Sequence, residues 1–533
     1  MRKIGILLLI SLVALTSVFA GGAQESSTAQ PASTEPASKY GGVLRVAQAT
    51  LDYSETIGLP FMTTGTETET VFTALYDKLW TRGADGKIKL MLAESYTVSD
   101  DGLEYTFTLK KGIKFHDGSD LTAEVVAWNY NQAIAHKMFS GVSKAEAIDE
   151  STVKVVLSKP NPFFLMANTA KCGWCITSKA NYDKNGEDYA RRNPVGTGPF
   201  KFVSMETGKK VVLAKNENYW AVDTDGSKLP YLDGLEVSAI SDPTVAAAAL
   251  DNNEIEVYSG TLNKLIENLE VYGIEKFNVE KGAVPTKAQG IRFMANNRNA
   301  KLLADERLRK AIAYAIDGQA IAAAIKDGTV QYTTQVALKG AADYVNDAVV
   351  YDYNPEKAKA LLKEAGYPDG FEIEINIDQT AESKRFAELY QYYLGQVGIK
   401  VKIMAYANTE RNAIQDRDDT WDQLLVSGTG IVGESTNVWA NCGPERKKWR
   451  NMQPFDTEPE WEELWYKVAD AKSEAEGYKA LQDYFRYAYD HCCIYLFMHY
   501  FADCKYSTKN VNLQLDKSGI RWLDSSIAYF TAK

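Results

Sequence analysis

Strand and helix patterns alternate along this 533-residue chain, and the alternation predicts an α/β fold in several units joined by single chain crossings. Two observations narrow it. No segment recurs at a period of roughly 20–50 residues, which excludes solenoids and propellers. Apolar residues make up 45% and charged residues 24%, the balance of a globular chain with enough apolar side chains for more than one core.

The elements follow in order. Val43 to Val46 is a short opening strand behind Gly41-Gly42. Glu104 to Leu109 alternates polar and apolar residues, as a half-buried strand does. Thr122 caps a helix from Ala123 to His136. Thr152 to Leu157 is a strand stopped by Pro160 and Pro162, and Phe200–Phe202 and Lys210–Ala214 are strands of a different unit. Asp242 opens an Ala-rich helix to Leu250 with Pro243 at its first position. Glu306 to Ile316 is helical, with Leu308, Ile312 and Ala315 on one face. Asn354 caps Pro355 to Ala365, and Gly366 ends that helix. Glu372–Ile377, Glu382–Gln396 and Val401–Met404 read as strand, helix, strand.

Residues 1–20 have the pattern of a secretory signal. Arg2 and Lys3 precede an apolar run to Leu15, and Val18-Phe19-Ala20 offers a cleavage site. The run is shorter than the roughly 20 apolar residues a spanning helix needs. No cysteine follows Ala20, so an exported, unlipidated, periplasmic protein is expected. Residues 21–39 carry almost no large apolar side chain. Such a segment cannot offset its ordering entropy by burial and is expected to be a disordered tether. Acidic residues outnumber basic ones, 70 to 59, which argues against nucleic acid or an anionic membrane surface as partner.

Six cysteines, Cys172, Cys175, Cys442, Cys492, Cys493 and Cys504, suggest disulfides in an exported chain. Sequence does not choose among their pairings; one of those open joins Cys492 or Cys493 to Cys504. Cys172-Gly173-Trp174-Cys175 has redox spacing, but it lies in a loop and not at a helix start, so it reads as a structural pair. None of the four histidines (His116, His136, His491, His499) is paired at metal-ligand spacing, and no metal or cofactor is expected. His116-Asp117 reads as a turn. His491-Cys492-Cys493 cannot readily set a nucleophile against its base, because the residues are adjacent. Cys442 to Arg450 is a basic, solvated loop.

Four segments, in order, carry a resemblance. Leu92 to Tyr96 with Asp101 to Ser119 and Leu121 to Glu124 form the first. Asn193-Pro194-Val195-Gly196-Thr197-Gly198-Pro199-Phe200 is the second, Asp305 to Asp317 the third, and Tyr353 to Leu362 with Ala365-Gly366-Tyr367 the fourth. Together they resemble the family 5 extracellular solute-binding proteins, the oligopeptide-, dipeptide- and nickel-binding components of ABC importers. The resemblance covers residues 40–515.

It implies a type II periplasmic-binding-protein-like clam with two lobes and an additional inserted domain. Residues 40–74, 196–290 and 496–533 would form lobe I, 75–195 the inserted domain and 291–495 the opposing lobe III. Hinges are expected near Gly290-Ile291 and Tyr495–His499. The implied function is capture of an oligopeptide or dipeptide and its delivery to an inner-membrane permease by a monomer.

In peptide-binding relatives a carboxylate after a strand holds the peptide ammonium. Here that strand is Trp421 to Ser427 and the segment runs from Gly428 to Trp439. Ile431 falls where the aspartate belongs, and Glu434 is the available substitute. The implied site is therefore Trp421, Gly428, Thr429, Gly430, Ile431, Glu434 and Trp439, with His499 and Tyr500 at the second crossing. The missing aspartate keeps an oligosaccharide as alternative, for which Trp421, Trp439, Trp449, Trp461, Trp465 and Trp522 could supply stacking faces. A secreted enzyme is the distant alternative. A thiol oxidoreductase lacks its βαβ context around Cys172, and a glycosidase would need two carboxylates placed across a cleft.

Overall fold

A computed structural model describes residues 39–531 except 50, 52–55, 64–68, 84–86, 140, 170, 260–261, 282–286, 295–300, 325–329, 338, 408–409, 411–412, 415–422, 430–434, 442, 445–454, 456, 494–495, 502–503 and 514–525. The leader and the tether expected over 1–39 lie outside it but for Lys39.

Two large sheets form the frame. The first has seven strands, in spatial order Phe277–Lys281, Cys504–Thr508, Val257–Ser259, Val43–Gln48, Gly234–Ala239, Lys210–Lys215 and Phe200–Glu206. Val43–Gln48 runs parallel to both of its neighbours. The second has six: Val330–Thr333, Leu496–Phe501, Lys287–Met294, Gln423–Thr429, Glu372–Asp378 and Lys400–Tyr406. Within it, Glu372–Asp378 is parallel to Lys400–Tyr406 and to Gln423–Thr429. Each sheet buries its own aliphatic core. Leu44, Val46, Leu235, Val237 and Val257 fill the first, and Ile291, Phe293, Ile375, Ile377, Leu424 and Val426 the second. Alternate apolar positions on a pleated strand face one side, so each sequence of this kind specifies one covered face.

In the stretch expected to form the inserted domain, an antiparallel four-stranded sheet has the helix Ala123–Ala135 against it. Glu104–Leu109 alternates half-buried and buried residues as expected. Thr122 accepts from the Val125 amide, the N-cap that its position promised. The core here is aromatic: Trp80 stacks on Phe107 at 5.3 Å between centroids, and Trp174 packs on Phe139 at 3.8 Å.

The helix starts in the second lobe match the sequence reading. Asp305 accepts from the Arg307 amide and Asn354 from the Lys357 amide. The sheet boundaries do not. Lys287–Met294 and Leu496–Phe501 are strands of the six-stranded sheet, so the chain changes sheets between Lys281 and Lys287 and between Phe501 and Cys504. The crossings expected at Gly290-Ile291 and Tyr495–His499 thus shift outward; His499 lies within a strand, and Tyr495 is outside the described residues. Gly290 marks a register shift between Gln289 and Ile291 inside the strand, the other common meaning of a strand glycine.

The cysteine expectation is also corrected in part. Cys492 and Cys493 are free, buried thiols. They end the helix Glu474–Asp490 and are sealed into two different apolar clusters, while Cys504 begins a strand of the other sheet. Burial pushes the Cys492 thiol up to about 12, so it stays protonated and unreactive. Cys172 and Cys175 are buried around a single 3-10 turn, and Cys442 lies outside the described residues.

Candidate functional site

In open α/β sheets, loops at the carboxyl ends of parallel strands form the ligand crevice. Strand register places those ends here. In the seven-stranded sheet Gln48 pairs with Ala239 on one side and Ser259 on the other, Ser259 pairs with Lys505, and Lys505 with Glu280. These residues form one row. In the six-stranded sheet Thr429 pairs with Ala288, Ala288 with Tyr500, and Tyr500 with Gln331, a second row. Lys281 pairs with Cys504 at one end of the crossing, and Lys287 with Phe501 at the other. The paired strand ends that flank both crossings therefore lie beside these two rows.

This register brings together Gly428, Thr429, His499 and Tyr500, read separately from the sequence as site residues: Gly428 and His499 both pair with Gln289, Thr429 and Tyr500 both with Ala288. The His499 side chain itself points elsewhere. Its ring is fully buried, 5.0 Å from the Phe386 ring, with Nε2 3.0 Å from the Gly318 carbonyl oxygen. It packs the sheet and does not line a crevice. Trp421, Gly430, Ile431 and Glu434 lie outside the described residues.

Trp439 sits on the helix Ser435–Asn441, directly after 430–434. It is 6% exposed. Its ring stacks on Trp465 at 5.2 Å, and each indole N–H donates to the other residue's carbonyl, at 3.3 and 3.0 Å. Trp461 and Trp465 belong to the same buried cluster. The stacking platform expected of these three tryptophans is thus a packed core, with its faces already occupied; Trp449 and Trp522 lie outside the described residues. The helix start is fixed by Asp343, whose carboxylate accepts from both the amide and the hydroxyl of Ser435. Burial pushes the Asp343 carboxyl up, and the Ser435 bonds and nearby Arg82 draw it back.

Sequence reasoning singled out the segment Asn193 to Phe200 but missed how it is fixed to the chain at 74–77. Gly196 and Gly198 press on the chain at its entry: a Cβ on Gly196 would lie 2.0 Å from the Leu75 carbonyl oxygen, and one on Gly198 2.6 Å from that of Ala74. Buried Asp77 accepts from Thr197 Oγ1 at 2.9 Å and Trp220 Nε1 at 2.8 Å. His116 lies in the expected turn, but its ring reaches across to the loop that holds Gly196 and Gly198. Nδ1 accepts from the Gly196 amide at 3.2 Å, so Nε2 carries the proton and donates to the Gly198 carbonyl at 2.9 Å. Burial lowers this imidazole to about 4. No pattern links His116 to residues eighty positions away.

Among the described residues one cluster has metal-binding composition, Glu306, Glu458 and His491. Cations of the chain already hold it. The fully buried Arg309 guanidinium binds Glu458, and Lys310 binds Glu306. Tyr487 donates to Glu458 at 2.9 Å. This is an internal ion-pair network in charge balance.

Among the described residues, no helix is long and apolar enough to cross a membrane. The profile of the family described as "Bacterial extracellular solute-binding proteins, family 5 Middle" matches residues 87–447. The glutathione-binding protein GsiB of Salmonella choleraesuis (strain SC-B67) is 31% identical over 362 residues, 66% of this chain and 68% of that protein. Among solved structures, the periplasmic binding protein DppA from Helicobacter pylori, in complex with the peptide STSA, superposes with a TM-score of 0.72 at 24% identity over 93% of this chain and 99% of DppA. HbpA2 from Haemophilus parasuis gives 0.77 at 22% identity, over 92% of this chain and all of HbpA2. At these identities the superpositions speak to the fold.

Proposed function

This chain belongs to the bacterial extracellular solute-binding proteins of family 5, and from that premise we propose that it captures a peptide between its two sheets and delivers it to an ABC permease. The observation that carries the peptide is the 31% identity to a protein that binds glutathione, itself a tripeptide. The buried state of Trp439, Trp461 and Trp465 supports the same choice over an oligosaccharide, which would need open aromatic faces.

The ligand lies against the row that contains Thr429 and Ala288, and the segment Gly428 to Trp439 lines it. Glu434 holds the peptide ammonium in place of the aspartate that Ile431 replaces. Trp439 acts from behind, as packing under that segment. Binding shifts the two sheets further toward the closed arrangement, and the peptide leaves unchanged, without catalysis. The protein is exported, cleaved near Ala20, unlipidated and monomeric in the periplasm.

Calorimetry with reduced glutathione and with free and N-acetylated di- and tripeptides tests this. Free peptides should bind and acetylated ones should bind far more weakly. Glu434→Gln should cost about 2–5 kcal/mol, the penalty of a buried charge losing its partner. Equal affinity for free and acetylated peptides dismisses Glu434 as anchor, and failure of every peptide dismisses the ligand class.

A further inference from the structure

Phe163 and Phe164 are neighbours in the chain but belong to different cores. Phe164 packs into the inserted domain, 4.7 Å from the Tyr105 ring and 5.3 Å from Trp174. Phe163 leaves that domain and enters the aromatic cluster of the opposing lobe. Its ring lies 5.0 Å from Tyr478 and 6.0 Å from Trp439, and it is only 2% exposed. The turn that presents it is pinned. Asn161 Oδ1 accepts from the Phe163 amide at 3.0 Å, and the Asn161 carbonyl accepts from Tyr105 Oη at 3.3 Å.

The receiving surface is shaped for this contact. Gly477 sits within the helix Glu474–Asp490, where glycine weakens a helix. A Cβ there would lie 2.9 Å from both Phe163 Cζ and Pro162 Cβ. The glycine thus gives up helix stability and gains close approach of the Pro162-Phe163 knob. Nearby, Gly102 of the inserted domain approaches the Lys472 carbonyl, within 4.0 Å of where its Cβ would lie. The contact joins two bodies, expected over 75–195 and 291–495, that are not consecutive in the chain. One of them, the inserted domain, is locked to lobe I by Gly196, Gly198 and Asp77.

We propose that Pro162-Phe163 is a latch: a knob on the inserted domain that seats between Trp439, Tyr478 and Gly477 and holds the opposing lobe in the closed arrangement. Phe163 touches Trp439 on the helix Ser435–Asn441, so seating the knob also fixes that helix. Phe163 is in this sense a positioning residue. The link to ligand retention rests on the reading of Gly428 to Trp439 as the ligand segment; the latch itself does not.

The test uses the full mature chain without ligand, as wild type, Phe163→Ala and Gly477→Ala. Hydrogen exchange and small-angle scattering are measured on each. In both variants, amides of Ser435–Asn441 should exchange at least tenfold faster and the radius of gyration should rise, while strands Glu104–Leu109 and Thr152–Leu157 stay as protected as in wild type. Gly477→Ala improves the helix it sits in, so faster exchange over Ser435–Asn441 reports loss of the knob and not a weakened helix. Unchanged exchange over Ser435–Asn441 in either variant overturns the latch. So does loss of protection confined to the inserted domain in Phe163→Ala with Gly477→Ala silent. Neither readout involves a ligand. If both variants loosen the helix yet bind reduced glutathione as wild type does, the latch stands and the ligand-segment reading fails.

Discussion

Acidification should release the inserted domain from lobe I through a single imidazole. His116 bridges its own turn to the loop before the strand Phe200–Glu206, accepting from Gly196 and donating to Gly198. Protonating Nδ1 would set N–H against N–H at Gly196. Burial accordingly holds the ring at about 4 against an ordinary 6.5. The sign follows from proton uptake. Between these values the unfolded chain binds a proton that the folded chain refuses, so stability falls as pH drops through 6.5 and stops falling below 4, where both states are charged. At 1.36 kcal/mol per unit, the full loss is about 3 kcal/mol. For a unit the size of the inserted domain and its joint, that is a drop in melting temperature of roughly 10 °C. The chain has four histidines, so the imidazole resonances can be titrated individually, with His116→Gln giving the assignment. Thermal melts of both proteins at pH 7 and pH 4.5 supply the stability. Wild type should lose far more than His116→Gln over this interval. A His116 that titrates near 6.5, or two proteins with the same pH dependence, would refute the bridge.

Three further outcomes follow from the packing. Gly196→Ala forces a methyl against the Leu75 carbonyl oxygen and should destabilise the joint by about 1–3 kcal/mol or more, seen as early melting of the inserted domain. Glu458→Gln leaves the fully buried Arg309 without its carboxylate and should cost about 3–5 kcal/mol in denaturant unfolding of the opposing lobe. Trp439→Ala opens the stacked pair with Trp465; it should cost about 3–5 kcal/mol of stability, and any loss of peptide affinity should exceed that of Trp421→Ala only if Trp439 supports the ligand segment.

Local chemistry was legible in the sequence, and long-range chemistry was not. Thr122, Asp242 and Asn354 each cap the helix they were expected to open, because a cap is a contact within three residues. The alternation of Glu104–Leu109 declared its half-buried strand. The hinge positions were misplaced because Gly290 reads as a pivot when it is a register shift, and because Lys287–Met294 places a buried Arg292 in a central strand and so spoils the apolar pattern. The tryptophans were countable but not their partners: Trp439 meets Trp465 twenty-six residues later, and the pairing turns a supposed platform into a core. His116 was seen as part of a turn, which it is, while its ring serves a crossing that only the fold brings near. Part of the implied site, Gly428, Thr429, His499 and Tyr500, gathers in two adjacent rows through strand register, which no local pattern encodes.

The central claim is that the chain holds a peptide and returns it intact. Native mass spectrometry of the exported protein, desalted and then mixed with reduced glutathione and a defined set of di- and tripeptides, tests it most directly. The account predicts a one-to-one adduct whose mass equals that of an unmodified peptide, released unchanged on activation. A protein that takes up none of them, or that returns a peptide cleaved or covalently altered, contradicts it.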